Sequence, residues 1–109
     1  MVVPFGEWYV IDCCVKDSET NEVISDSRFN GHWRSRDDAE EYISGRVSVK
    51  NTNTFEEYRI CSLEEGQDDR EDYGHIVCVW QVCPFRRRSD GLYTMYIHII
   101  SDDLIGYIP

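Results

Sequence analysis

No stretch of this 109-residue chain approaches the ~18 consecutive apolar residues of a membrane-spanning helix, so no helical span is expected within it. Met1 to Glu7 offer neither a basic segment nor an apolar one, and no secretory leader is expected. The sequence also lacks C-x-x-C pairs, a phosphate loop, a nucleotide-binding glycine fingerprint, internal repeats and low-complexity tracts. With no sign of export, its five cysteines are expected to be free thiols in a reducing compartment, the cytoplasm of a cell or of an infected host. An odd number leaves at least one thiol unpaired within a monomer. Length sets a further bound, because 109 residues suffice for one domain with one modest core.

What is present argues for a folded chain. Apolar residues make up 41% and aromatics 13%, whereas disordered acidic chains have few aromatics. The net charge is −10, and it is concentrated. Residues 37–72 hold twelve acids against Arg46, Lys50, Arg59 and Arg70, a net of −8. Residues 1–36 carry six acids and four bases, a net of −2, and residues 73–109 carry three of each. An acidic band of this density repels nucleic acid and anionic membrane and attracts basic protein surfaces.

Hydrophobic patterning predicts β-β-α-β-β-β. Strands are expected at Trp8–Val15, at Val23–Trp33 with a turn or bulge at Asn30-Gly31, at Phe55–Leu63, at His75–Cys83 and at Leu92–Ser101. Ser35 before Asp37 and Asp38 is a helix start, with Ala39, Tyr42 and Ile43 as an apolar stripe, Glu40 and Glu41 towards water, and Gly45 as the stop. Short links imply a largely antiparallel sheet of about five strands with the helix on one face, an α+β fold in one domain over residues 1–109. In the last hairpin, apolar matching pairs Ile76 with Ile99, Cys78 with Ile97, Trp80 with Met95 and Val82 with Tyr93. The side holding Ile76, Cys78, Trp80 and Val82 should then meet the helix. The opposite side is too apolar to be fully wetted, and a partner or second protomer is expected to cover it.

Chemistry-bearing residues are poorly arranged for catalysis. Cys13 and Cys14 are adjacent and point to opposite sides of a strand, and Cys83 lies eight residues from His75, roughly 26 Å away. His75 and His98 are expected on one face, directly or diagonally opposite, without a third ligand. The cysteines sit inside strands rather than at a helix N-terminus or glycine-rich elbow, and Asp12 is the one acid within an apolar run. No cofactor, metal site or catalytic residue is assigned, and enzyme is the less favoured class.

Binding is the favoured class. The expected acidic face combines Asp37, Asp38, Glu40 and Glu41 from the helix, Glu56 and Glu57 from the third strand, and Glu64, Glu65, Asp68, Asp69, Glu71 and Asp72 from the loop. Carboxylates spaced along a face can imitate duplex DNA, which carries one charge per ~1.7 Å of axis. The expectation is an inhibitor that occupies the basic groove of a nucleic-acid-handling protein, without touching nucleic acid or membrane itself. Trp33, Phe55 or Tyr73 would supply an apolar anchor. In type, though in no motif, the chain is similar to phage-encoded inhibitors of restriction and CRISPR systems. The alternative is an adaptor or homodimer acting through the sheet face or through a basic hairpin tip, Arg86, Arg87 and Arg88. A small metal- or thiol-dependent enzyme ranks third.

Overall fold

A computed structural model describes the backbone of residues 1–46, 53–87 and 93–101, with side chains up to Val82. The elements run β1 (Trp8–Asp17), β2 (Val23–Arg28), α1 (Arg36–Arg46), β3 (Thr54–Leu63), β4 (His75–Arg87) and β5 (Tyr93–Ser101). They form an antiparallel sheet in the order β2-β1-β3-β4-β5 with one helix packed on it, an α+β arrangement. The segment containing α1 carries the chain from the β2 edge past β1 to β3.

Local chemistry explains the ends of each element. β1 turns at Asp17, whose carboxylate accepts amide hydrogens from Glu19 (2.8 Å) and Thr20 (3.0 Å), while Asn21 takes φ 61°. β2 stops at Arg28 rather than reaching Trp33. Asn30-Gly31 buckles outward with Gly31 at φ 100°, a conformation that favours glycine. On either side the chain still follows β1, with Phe29 donating to the Ile11 carbonyl (3.0 Å) and Trp33 exchanging bonds with Tyr9 (2.9 and 2.8 Å).

Ser35 caps α1, its Oγ accepting the Asp38 amide hydrogen at 3.1 Å. Ala39 and Ile43 are fully buried, and Tyr42 lies at the rim against Phe29 and Trp33, with ring centroids 5.6 and 4.9 Å away. Two expectations fail here. Gly45 does not stop the helix, which continues to Arg46, where the guanidinium sits 4.6 Å over the Phe29 ring and bonds the Tyr42 hydroxyl. Glu40 is half-buried rather than wetted, because it pairs with Arg36 (3.4 Å) and accepts from the Cys78 thiol (3.6 Å).

Alternation along the strands gives the sheet two unlike sides. Under the helix lie Ile11, Tyr58, Ile60, Cys78, Trp80 and Val82, joined by Ala39 and Ile43. On the other side Val3, Val10, Cys61 and Leu63 form a smaller cluster with Trp8, next to Asp12, Arg28 and Arg59. Burying one such Ile or Leu stabilises the fold by roughly 1.5–3 kcal/mol.

β4 departs from its expected pairing twice. Ile60 opposes Cys78 but Cys61 opposes Ile76, so Val77 is an extra residue, a bulge. The bulge inverts the parity of the strand. Cys78, Trp80 and Val82 meet the helix side as expected, whereas Ile76 pairs with Cys61 and is 38% exposed. The second departure is register, which is displaced by four residues. Trp80 opposes Ile99 and Val82 opposes Ile97, because β4 continues through Pro84 to Arg87 instead of ending at Cys83. His98 is therefore opposite Gln81. His75 pairs with Ser62, six residues from Gln81 and so about 20 Å along the strand, and the two histidines are not neighbours.

The 64–74 loop rejoins the sheet at Gly74, φ 68°. A Cβ there would lie 2.7 Å from Leu63 Cδ2 and closer still to the Ser62 carbonyl oxygen. Only glycine fits.

Candidate functional site

The twelve mid-chain acids divide into two groups of six. In the first group the charge is engaged within the fold. Glu40 pairs with Arg36; Glu56 accepts the Tyr58 hydroxyl hydrogen; Glu57 takes Lys16 (3.4 Å) and Gln81 (3.1 Å). Asp68 accepts from the Arg70 (2.8 Å) and Glu71 (3.3 Å) amides, and Asp72 from the Asp68 amide (2.6 Å). Asp69 is 5% exposed and receives the Met1 α-ammonium and His32 Nδ1, each at 2.8 Å. Burial pushes its carboxyl up, but the bonds from the ammonium and His32 outweigh that and hold it below the usual carboxylate range.

The second group is Asp37, Asp38, Glu41, Glu64, Glu65 and Glu71. All are exposed, and among the described residues none of their carboxylates has a cation or a hydrogen-bond donor. They do not share a face. Asp37, Asp38 and Glu41 stand on α1, which covers one side of the sheet. The loop bearing Glu64, Glu65 and Glu71 is fastened to the other side. Val3 donates to the Gln67 carbonyl (2.7 Å), and Arg28 Nη1 donates to the carbonyls of Asp69 and Asp72. The unengaged acids are thus divided between the helix on one side of the sheet and the loop fastened to the other.

Arg86 and Arg87 do not form a hairpin tip. Their backbones continue β4 and pair with Thr94 and Tyr93; Arg88 lies outside the described residues. Of the three aromatic anchors, Trp33 and Phe55 are half-buried, and Tyr73 is 85% exposed.

Three thiols titrate above their ordinary value. Burial, reinforced by Glu56, pushes Cys13 up to about 11. Burial, with Asp12 beside it, takes Cys61 to about 11 as well, and burial raises Cys78. Among the described residues no three His, Cys, Asp or Glu side chains converge as metal ligands.

One polar site escaped sequence reasoning. On the side away from the helix, a cleft of about 300 Å³ is lined by Asp12, Asp26, Arg28, Arg59, Arg70 and Tyr73, with Ser27 and Glu71 beside them. Arg28 is saturated. Its Nε and Nη2 grip both Asp12 oxygens (2.6 and 3.1 Å) while Nη1 holds the loop carbonyls, and the Asp12 bonds raise its pKa. Arg59 gives Nη2 to Asp26 Oδ1 at 3.0 Å, but its Nε is enclosed and has no partner among the described residues. The only sequence hint was Asp12 inside an apolar strand; its partners lie 16 and more positions away and depend on register.

Comparison with known proteins adds no homologue: no family model matches the chain, and neither a curated protein nor a solved structure does.

Proposed function

We propose that this chain is a small non-enzymatic binding protein. It would dock, through exposed carboxylates, on the basic surface of a nucleic-acid-handling protein and exclude that protein's substrate. One observation carries the reading: six mid-chain acids stand exposed without a cation among the described residues, although the fold engages the other six. Engaged acids serve the fold; unengaged ones cost folding through mutual repulsion and leave a field for a partner. The raised thiols favour a non-enzymatic role over thiol chemistry.

The α1 patch is the better docking element. Asp37, Asp38 and Glu41 span less than about 6 Å of helix axis on a capped, packed helix, so little ordering is needed on binding. The test compares D37N/D38N/E41Q with E64Q/E65Q/E71Q in capture of basic nucleic-acid-binding proteins. Loss with the helix variant alone, together with displacement of the wild type by added DNA and a steep decline with salt, is the expected result. Equal capture by wild type and both variants, or indifference to salt, refutes the reading.

A second reading, an assembly module acting through the sheet, is favoured by Ile76, 38% exposed, and by the β2 edge, where Val23 and Ile24 are 54% and 58% exposed. It predicts a salt-resistant oligomer.

A further inference from the structure

We propose that the cleft between β2, β3 and the 64–74 loop binds a small phosphate ester of mononucleotide size, held by Arg59 and Arg70. The site is separate from the α1 patch and lies on the opposite side of the sheet.

The argument begins with charge. Asp12 is fully engaged by the Arg28 fork, and that pair contributes no net charge to the cleft. Two arginines remain, facing Asp26 and Glu71. The Arg70 side chain is exposed and has no ion-pair partner among the described residues. Arg59 satisfies one corner of its guanidinium on Asp26, and its Nε–H is shut away from water with no acceptor among the described residues. A buried polar hydrogen without an acceptor costs about 1–3 kcal/mol, so this guanidinium is not fully satisfied by its bond to Asp26. Guanidinium forks match the spacing of phosphate oxygens, so an oxyanion bridging Arg59 and Arg70 is the natural occupant.

Asp26 is a placeholder in this scheme. It is 53% exposed on an edge strand, and its side chain is free to swing into water when an oxyanion takes its place on Arg59. The cleft, at about 300 Å³, has room for more than the phosphate group. Tyr73 stands at its wall with 85% of its surface exposed, a ring held out of the core where a planar group can stack. A phosphate joined to a base through a sugar meets both demands.

The experiment is an NMR titration of the intact protein, following Arg59 Nε–H and the Tyr73 ring, with inorganic phosphate, ribose 5-phosphate and AMP as probes. All three should move Arg59 Nε–H. AMP should bind more tightly than ribose 5-phosphate and shift the Tyr73 ring. Arg70→Gln, an exposed change that leaves the fold intact, should weaken all three about tenfold, the loss of one charge-assisted contact. Asp26→Asn should strengthen binding, a sign opposite to that of a merely structural residue. Arg59 silence towards every probe, or equal affinities in wild type, Arg70→Gln and Asp26→Asn, overturns the proposal. Equal binding of AMP and ribose 5-phosphate overturns the stacking role of Tyr73 and the mononucleotide assignment.

Discussion

The same strands build both sides of this sheet, yet the two sides are held by different forces. Towards the helix, Ile11, Ile43, Ile60 and Trp80 interdigitate with an aromatic rim of Phe29, Trp33 and Tyr42. Away from it, a four-residue apolar cluster is supplemented by Arg28, which ties β1, β2 and the 64–74 loop through Asp12 and two carbonyls. Packing is non-directional and tolerates small shifts; the arginine clamp depends on distances. The difference indicates where the chain can carry chemistry. Among the described residues the packed side carries its unengaged acids on the outside of its helix, whereas the clamped side keeps polar groups close enough to form a cleft.

The largest effect should come from the packed side. Ile43→Ala removes a fully buried side chain where α1 meets the sheet and should cost about 4 kcal/mol, read from urea unfolding. That loss should be the same in low and high salt. Next, Arg28→Met leaves Asp12 buried without its fork and should cost about 3 kcal/mol. The double variant D12N/R28M should regain part of it, since the orphan charge is gone. If Arg28→Met cost nothing, the two sides would not differ as argued.

The smallest effect is a pH dependence. Asp69 titrates below the ordinary 3.8, so its contribution is complete above that value and disappears as the pH falls through its lowered one. Asp68 and Asp17 act in the same direction, mainly through backbone amide bonds. Unfolding midpoints should therefore fall on acidification below about pH 4, and Asp69→Asn should flatten part of that limb. A limb unchanged by the substitution would assign acid sensitivity elsewhere.

Much of the architecture was legible because local signals carry it. Ser35 announces its helix, and alternation in Tyr58 and Ile60 identifies the buried side of β3. The bulge at Val77 was not legible, since one extra residue in HIVCVWQVC leaves the hydrophobic pattern intact on paper while inverting Ile76. Nor was the end of β4, because Pro84 reads as a stop although the strand continues to Arg87. The candidate sites follow the same division. Twelve acids can be counted from sequence, but which side of the sheet each occupies depends on long-range pairing. Arg59 counted only as a charge against the acidic band until register placed it across from Asp12 and bonded it to Asp26.

Gly74 has a consequence for how this protein can change over time. Any coding change that replaces a glycine introduces a Cβ, and at this position it would press on the Ser62 backbone. Gly31 and Gly66 have open space around them and concede only their backbone angle. The loop that walls the arginine cleft can therefore exchange Gly66 at the cost of a backbone angle, while its return point is closed to every substitution that heredity offers.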